Sequence, residues 1–329
     1  MVRLFAGLMF FVCLAPPAFA GLDAAAVNNA EFKGKLPSDD KINPAIVKAQ
    51  VLLDRASFSP GEIDGKLGEN AEKALRAFAE SKGLAASKQP LTSEVWGALL
   101  ATGSDPVVVD YKLTDKDVKG PFLKKLPAKM EDLKGLKSLD YTSPREAVAE
   151  KFHMSEVLLA ALNPGKKFDE AGQTIAVMNV AVKENKPTVT RVEVDKASQT
   201  VKAFANSQLI AFFPATVGSE EKPSPGGVLK VISIDANPYY RYNPDYKFKG
   251  VKSKRAFKIR PGPNNPVGSQ WIGLSEGYGI HGTSNPSKVS KSESNGCVRL
   301  TNWDADRLAK LLKKGTEVAF VEREAANRK

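Results

Sequence analysis

The sequence predicts a multidomain α+β chain: a small three-helix domain near the N-terminus, a small βααβ module, and a mainly-β domain with one helix near its C-terminal end. Three observations predict this. A length of 329 residues is too long for one average core. Apolar residues recur at helical spacing in the first third of the chain. After Pro187 the pattern changes to alternating and β-branched runs broken by Pro and Gly.

The chain opens as an export signal. Arg3 precedes an apolar run from Leu4 to Leu14, and Ala18-Phe19-Ala20 places small residues where a signal peptidase reads. Cleavage is expected after Ala20, so residues 1–20 read as a signal peptide and the mature protein as exported to the periplasm or cell envelope. The run is shorter than the roughly 20 apolar residues that cross a bilayer, Pro16-Pro17 close it, and no later segment offers a stable membrane span. Loss of this leader removes Cys13 and leaves one cysteine, Cys297, which excludes an internal disulfide.

Residues 21–43 are small and polar and read as a flexible lead-in. In residues 44–102, Ile46, Ala49 and Leu53 recur at helical spacing. So do Ala71, Ala74, Leu75 and Phe78, and so do Val95, Trp96, Leu99 and Leu100 after a Thr92 cap. Between the first two helices lies the turn-rich stretch from Ser59 to Gly68. Gly61-Glu62-Ile63-Asp64-Gly65, Leu67-Gly68, Ala74 to Phe78 and Lys82-Gly83-Leu84 together resemble the peptidoglycan-binding-like domain. Ala71 and Ala79 depart from the Thr and Gln common there, which leaves the fold intact and glycan binding open.

Residues 103–138, rich in Lys, Asp and Pro, read as a linker with one short helix. Residues 139–180 carry two short amphipathic segments, Pro144 to Phe152 and Ser155 to Leu162, then Asn163-Pro164 and the apolar stretch Thr174 to Val177. That order resembles a degenerate lysin motif, a βααβ glycan-binding module. His153 lies here as a packing or surface residue without assigned chemistry.

Residues 188–323 form the mainly-β domain. Val192 and Val194 alternate with charged residues, Leu209 to Val217 and Val228 to Ile234 are β-rich runs, and Val318 to Val321 is a closing strand. One helix interrupts: Asn302 can cap it, Asp304 and Asp306 sit in its first turn, and Leu308, Leu311 and Leu312 face inward.

The formal net charge of +11 suits an anionic partner, and outside the cytoplasm cell-wall polymers fill that role as readily as nucleic acid. The lysines are dispersed. Their densest group, Lys247 to Lys258, reads equally as a solvated loop, and nucleic acid is not the partner expected.

The chemistry concentrates in Tyr278-Gly279-Ile280-His281-Gly282-Thr283, Asn285-Pro286 and Ser294-Asn295-Gly296-Cys297-Val298-Arg299-Leu300. A thiol becomes a nucleophile when an imidazole takes its proton or stabilises its thiolate. His281 and Cys297 are candidates for that pair, and His153 is the only other histidine. Metal binding fails on count, because zinc sites need three or four ligands. No phosphate loop or dinucleotide fingerprint is present, so no cofactor is expected.

This pattern resembles the L,D-transpeptidase catalytic domain, also called the YkuD domain. Arg260 to Gly268 and Trp271-Ile272 match the stretch before the catalytic His in one branch of that family, and Gly218 with Ser224-Pro225-Gly226-Gly227 resembles its earlier turn. The resemblance implies that Cys297 attacks a peptidoglycan stem peptide between its third and fourth residues and forms a thioester. His281 would stabilise the thiolate and relay protons, oriented by the Gly282 carbonyl. Amides near Gly296 and Cys297 would hold the oxyanion, Ser294 would order the loop, Arg299 would support it or meet a substrate carboxylate, and Tyr278 would flank the substrate. Asn295 stands where many relatives carry a second His, and Ser290 where Gly is common. The partners implied are stem peptides and glycan. Two alternatives stay open: an L,D-carboxypeptidase using the same thiol, and a wall-binding protein with a dead catalytic domain. Acceptor and oligomeric state are not legible. Since every residue of the thiol site lies beyond 188, a chain begun near Lys186 is expected to keep acyl transfer.

Overall fold

The computed structural model describes residues 22–37, 41–181, 187–219, 221–248, 250–292, 294 and 296–322. The expected signal peptide and Asn295 lie outside them. Among the described residues no helix is long and apolar enough to cross a membrane.

Four helices come first: α1 (Ala24–Asn28), α2 (Pro44–Arg55), α3 (Glu69–Ser81) and α4 (Ser93–Leu100). Asn43 caps α2 ahead of Pro44, and Thr92 caps α4 by accepting from the Val95 N–H. Ile46, Ala49, Leu53, Leu75, Phe78, Val95 and Leu99 meet in one core. Leu100, expected to face inward, is exposed because Leu99 takes the core position. The lead-in also departs from expectation. Asp23 caps α1, Val27 is buried, and the Asn28 carboxamide accepts from the N–H groups of Val107 and Val108 at 2.9 Å each. One helical turn is too short for a periodicity to reveal.

The stretch read as a linker holds β1 (Val108–Lys112), α5 (Asp115–Lys119) and α6 (Met130–Leu133). β1 pairs antiparallel with β2 (Thr174–Met178), enclosing α7 (Pro144–Lys151) and α8 (Glu156–Leu162). Since α5 and α6 also lie between the two strands, the chain order here is βααααβ rather than the expected βααβ, and the first strand comes from upstream of residue 139. Asp110 and Lys112 alternate outward in β1 and give the segment the polar look of a linker.

The β domain contains β3 (Arg191–Asp195), β4 (Thr200–Ala205), β5 (Gln208–Pro214), β6 (Gly227–Ala236), β7 (Tyr240–Tyr242), β8 (Phe257–Ile259), β9 (Gln270–Leu274), β10 (Gly279–His281), β11 (Val298–Arg299), α9 (Asn302–Leu311) and β12 (Glu317–Val321). Eight strands form one sheet in the order β11-β10-β9-β6-β12-β3-β4-β5, and β7 pairs with β8 apart from it. Leu308 and Ala305 of α9 pack into the sheet core beside Ile272, Ile280 and Val298. Thr301, rather than Asn302, caps α9 by accepting from the Asp304 N–H at 3.1 Å. That frees the Asn302 side chain for another role.

The three units share one packed body. β5 is apolar on both faces because each face has a core to meet: Ala211 and Phe213 join the sheet core, while Leu209 and Phe212, with Phe204 of β4, join the helical core. Ser59 N–H donates to Phe212 O at 2.8 Å, and Phe212 N–H to Ser57 O at 2.9 Å. Asp54 at the end of α2 is fully buried. Its Oδ1 accepts from Arg307 Nη2 at 2.8 Å, its carbonyl accepts from Arg307 Nη1 at 2.8 Å, and its Oδ2 meets His153 Nδ1 at 3.0 Å. Burial opposes the Asp54 charge, yet Arg307 and His153 outweigh it and hold the carboxyl well below the usual range. His153 also stacks on Trp303, with ring centroids 5.2 Å apart. A chain begun near Lys186 would uncover Phe204, Leu209 and Phe212 and leave Arg307 without its carboxylate, so the expectation that it functions alone has no support in the packing.

Candidate active site

Three neighbouring strands build the site. β9 and β10 run antiparallel with Trp271 opposite His281 and Gly273 opposite Gly279. β10 and β11 run parallel with His281 opposite Arg299. Because side chains alternate along a strand, Trp271, His281 and Arg299 stand in a row on one face of the sheet. One step along that face stand Gly273, Gly279 and, just ahead of β11, Cys297. The parallel register thus places Cys297 diagonally from His281.

The imidazole is buried, with 4% exposure, and stacks on the Trp271 indole at 5.6 Å between centroids. His281 Nδ1 lies 2.6 Å from Gly282 O. A carbonyl oxygen only accepts, so the ring proton is on Nδ1 and Nε2 carries a free lone pair. Burial, reinforced by the Arg299 charge and opposed by the bond to Gly282, pulls the His281 pKa down to about 3. Cys297 is partly exposed. Burial pushes its thiol up, against the lowering effects of the Gly279 N–H and Arg299. These shifts run against a preformed thiolate–imidazolium pair. Both directions favour the uncharged thiol and imidazole in the resting site.

The loop that carries Cys297 is fastened on several sides. Ser294 Oγ donates to Cys297 O, Ser294 N–H to Val217 O at 2.9 Å, and Ser224 Oγ to Gly296 O at 2.9 Å. Arg299 and Thr216 exchange main-chain bonds at 2.8 Å each. Gly296 has φ +104, a conformation that strains any side chain, and a Cβ there would meet Tyr278 Cε1 at 3.5 Å. Tyr278 therefore flanks the loop. Among the described residues, neither Gly296 N–H nor Cys297 N–H has an acceptor. Burial lowers the Arg299 pKa, countered by Cys297. Ser290 sits at φ +62, which accounts for Gly being at home there. Its N–H donates to Thr216 Oγ1 at 2.9 Å, and its Oγ accepts from Lys73 of α3 at 3.1 Å.

The structure thus brings Cys297, His281, Gly282, Gly296, Ser294, Arg299 and Tyr278 into one site. Sequence reasoning misses three contributors. Trp271 reads there only as part of a matching stretch, although its register opposite His281 makes it the stacking partner. Gly279 is named there only as part of the Tyr278–Thr283 segment, and its neighbour is specific: a Cβ there would lie 2.4 Å from Trp271 Cη2. Thr216, inside an apolar run, gives no polar signal at all.

The model of the YkuD family, described as the L,D-transpeptidase catalytic domain, matches residues 189–319. A Bacillus licheniformis protein bearing the name L,D-transpeptidase YkuD is 28% identical over 178 residues, covering 53% of this chain and 92% of its own length. The Bacillus subtilis protein of the same name is 27% identical over 176 residues, covering 53% and 91%. Among solved structures, an L,D-transpeptidase from Xylanimonas cellulosilytica aligns over 89% of this chain and 100% of that one, with 14% identity and a TM-score of 0.38. One from Mycobacterium smegmatis aligns over 46% of this chain and 63% of that one, with 13% identity and a TM-score of 0.34, so this chain spans under two thirds of it. With Cys297 and His281 both inside the matched segment, residues 189–319 constitute a YkuD-type L,D-transpeptidase catalytic domain, and the chain that carries them is an acyltransferase enzyme.

Proposed function

We propose that the chain is an exported L,D-transpeptidase of cell-wall remodelling that moves an acyl group from a peptidoglycan tetrapeptide stem to an amine through a thioester on Cys297. Cys297 Sγ attacks the carbonyl between the third and fourth stem residues while its proton passes to His281 Nε2. The oxyanion that forms is met by the Gly296 and Cys297 N–H groups, which have no acceptor among the described residues and so fit that charge. On collapse the C–N bond breaks, His281 returns the proton to the leaving amine, and the terminal D-amino acid departs. An acceptor amine then attacks the thioester, gives its proton to His281, and releases the thiol.

The observation that carries this reading is geometric: His281 Nδ1 is held 2.6 Å from Gly282 O, which turns Nε2 free on the same sheet face as Cys297. A neutral base beside a neutral thiol stores no charge in the ground state and develops it during attack, where donors can stabilise it. Arg299 supports that developing charge. Tyr278 and Ser294 shape the substrate side of the loop. Asn295, which lies outside the described residues, is read as a substitution the enzyme tolerates.

The helical unit and the βααβ module are read as the wall-facing part, a peptidoglycan-binding-like domain and a lysin-motif-like module that hold the enzyme on glycan. Product analysis on purified muropeptides tests the function. Cross-linked or D-amino-acid-exchanged products that vanish with Cys297→Ala support transfer. Free tripeptide as the sole product would instead establish a carboxypeptidase, and no product with folded protein would leave a wall-binding protein.

A further inference from the structure

Asn302 opens α9, and both ends of its carboxamide are engaged. Its Oδ1 accepts from Thr283 N–H and Ser269 N–H at 3.1 Å each. Its Nδ2 donates to Glu150 Oε2 at 3.0 Å and to Pro263 O at 3.2 Å. Thr283 N–H and Gly282 C=O belong to the same peptide plane, and Gly282 C=O is the group that receives the His281 Nδ1 proton at 2.6 Å. A single file of donors and acceptors therefore runs from the imidazole through the 282–283 peptide and the Asn302 amide to the Glu150 carboxyl. Every bond in it points the same way, so each polarises the next.

We infer that Glu150, on a helix of the βααβ module, is a positioning residue for His281, acting through Asn302 and the Gly282–Thr283 peptide. The inference rests on His281 being the base proposed above. The far end of the file is itself held in place, since Glu150 is buried and Tyr141 OH also reaches its Oε2 at 3.3 Å. The turn is shaped around the amide. A Cβ on Gly282 would lie 2.3 Å from Asn302 Oδ1 and one on Gly268 would lie 2.1 Å from it, so both glycines leave room for that oxygen. Gly282 N–H is itself fixed to Gln270 O at 3.1 Å, and Leu300 N–H to His281 O at 2.8 Å. Tilt of the 282–283 peptide is then the remaining freedom, and Asn302 removes it. The module that resembles a glycan anchor would in this way complete the catalytic base.

The full-length chain tests this with Glu150→Gln, Glu150→Ala and Asn302→Ala, measured for kcat and KM on a soluble tetrapeptide stem. Ring-nitrogen NMR of the two histidines, His153 and His281, supplies a second readout. Glu150→Gln keeps an acceptor for Asn302 and should hold kcat within about twofold. Glu150→Ala and Asn302→Ala should lower kcat about tenfold with KM within twofold, the scale of one lost hydrogen bond. Both should shift the His281 Nδ1–H resonance while leaving that of His153 in place. If Glu150→Ala unfolds, Asn302→Ala and the NMR of Glu150→Gln still decide. Parent kcat and an unmoved His281 resonance in Asn302→Ala would overturn the inference. A parent-like His281→Ala would instead overturn the underlying assignment of the base, so the two failures are distinguishable.

Discussion

Arg307→Ala should destabilise the whole chain, not only α9. The guanidinium is the main positive partner of Asp54, a carboxylate with no exposed surface that joins α2 to the catalytic domain. Removing one member of a buried pair leaves an uncompensated charge and costs about 3–5 kcal/mol. For a body of this size each kcal/mol is about 2–4 °C of Tm, so the melt should fall by roughly 6–20 °C. The sign of the pH dependence follows from the depressed Asp54 pKa. A carboxylate whose folded value lies below its unfolded value stabilises fully above the unfolded value, about 3.9, and loses that contribution as pH falls through the folded value. The gap between parent and variant should therefore be widest near neutrality and close in acid. Thermal melts by circular dichroism across pH 3–8 measure it. A single transition that moves down in the variant is expected, because one core spans the helical unit and β5. A shift under 2 °C at pH 7, or two transitions in the parent, would refute the reasoning.

Other consequences follow from the same contacts. His281→Ala should slow acylation of Cys297 by about 100- to 10,000-fold, the cost of a lost general base, measured as second-order rates with a tetrapeptide stem donor. In the parent that rate should stay level from pH 5 to 7, since His281 titrates at about 3; a steep rise across that range would indicate a thiolate mechanism. Gly279→Ala should push the Trp271 indole off its seat and cost up to about 100-fold in kcat/KM, with changed tryptophan fluorescence. Burial raises Glu150 to about 8, so ionising it costs stability as pH climbs from its unfolded value toward 8. Glu150→Gln should accordingly raise Tm at pH 8 and leave it unchanged near pH 4, and equal melts at pH 8 would contradict this.

The catalytic domain is legible because its chemistry is scarce and local. Two cysteines in the whole chain, one histidine set between Gly279 and Gly282, and a Gly-Cys-Val-Arg-Leu run leave little room for another reading. What stays hidden is tertiary. Val108 to Lys112 alternates apolar and charged residues inside a lysine-rich stretch, and only its partner, Thr174 to Met178, makes it a strand. Thr301 and Asn302 are both competent caps, and sequence alone does not say which one caps and which reaches the His281 turn. Glu150 carries no functional signal in the sequence, and only the packing of α9 against α7 brings it to Asn302. The pull of His281 and Cys297 toward their uncharged forms is illegible for the same reason, since their burial comes from the fold rather than from their neighbours in sequence.

The central claim is that Cys297 becomes acylated by a stem peptide. Intact mass of the full-length chain, incubated with a tetrapeptide stem and quenched in acid, tests it most directly. The expected mass gain is that of the donor minus the free D-amino acid, which leaves carrying the proton from sulfur, and it should map to Cys297 and be absent from Cys297→Ala. No adduct on folded protein at saturating donor, or an adduct that persists in Cys297→Ala, would contradict it.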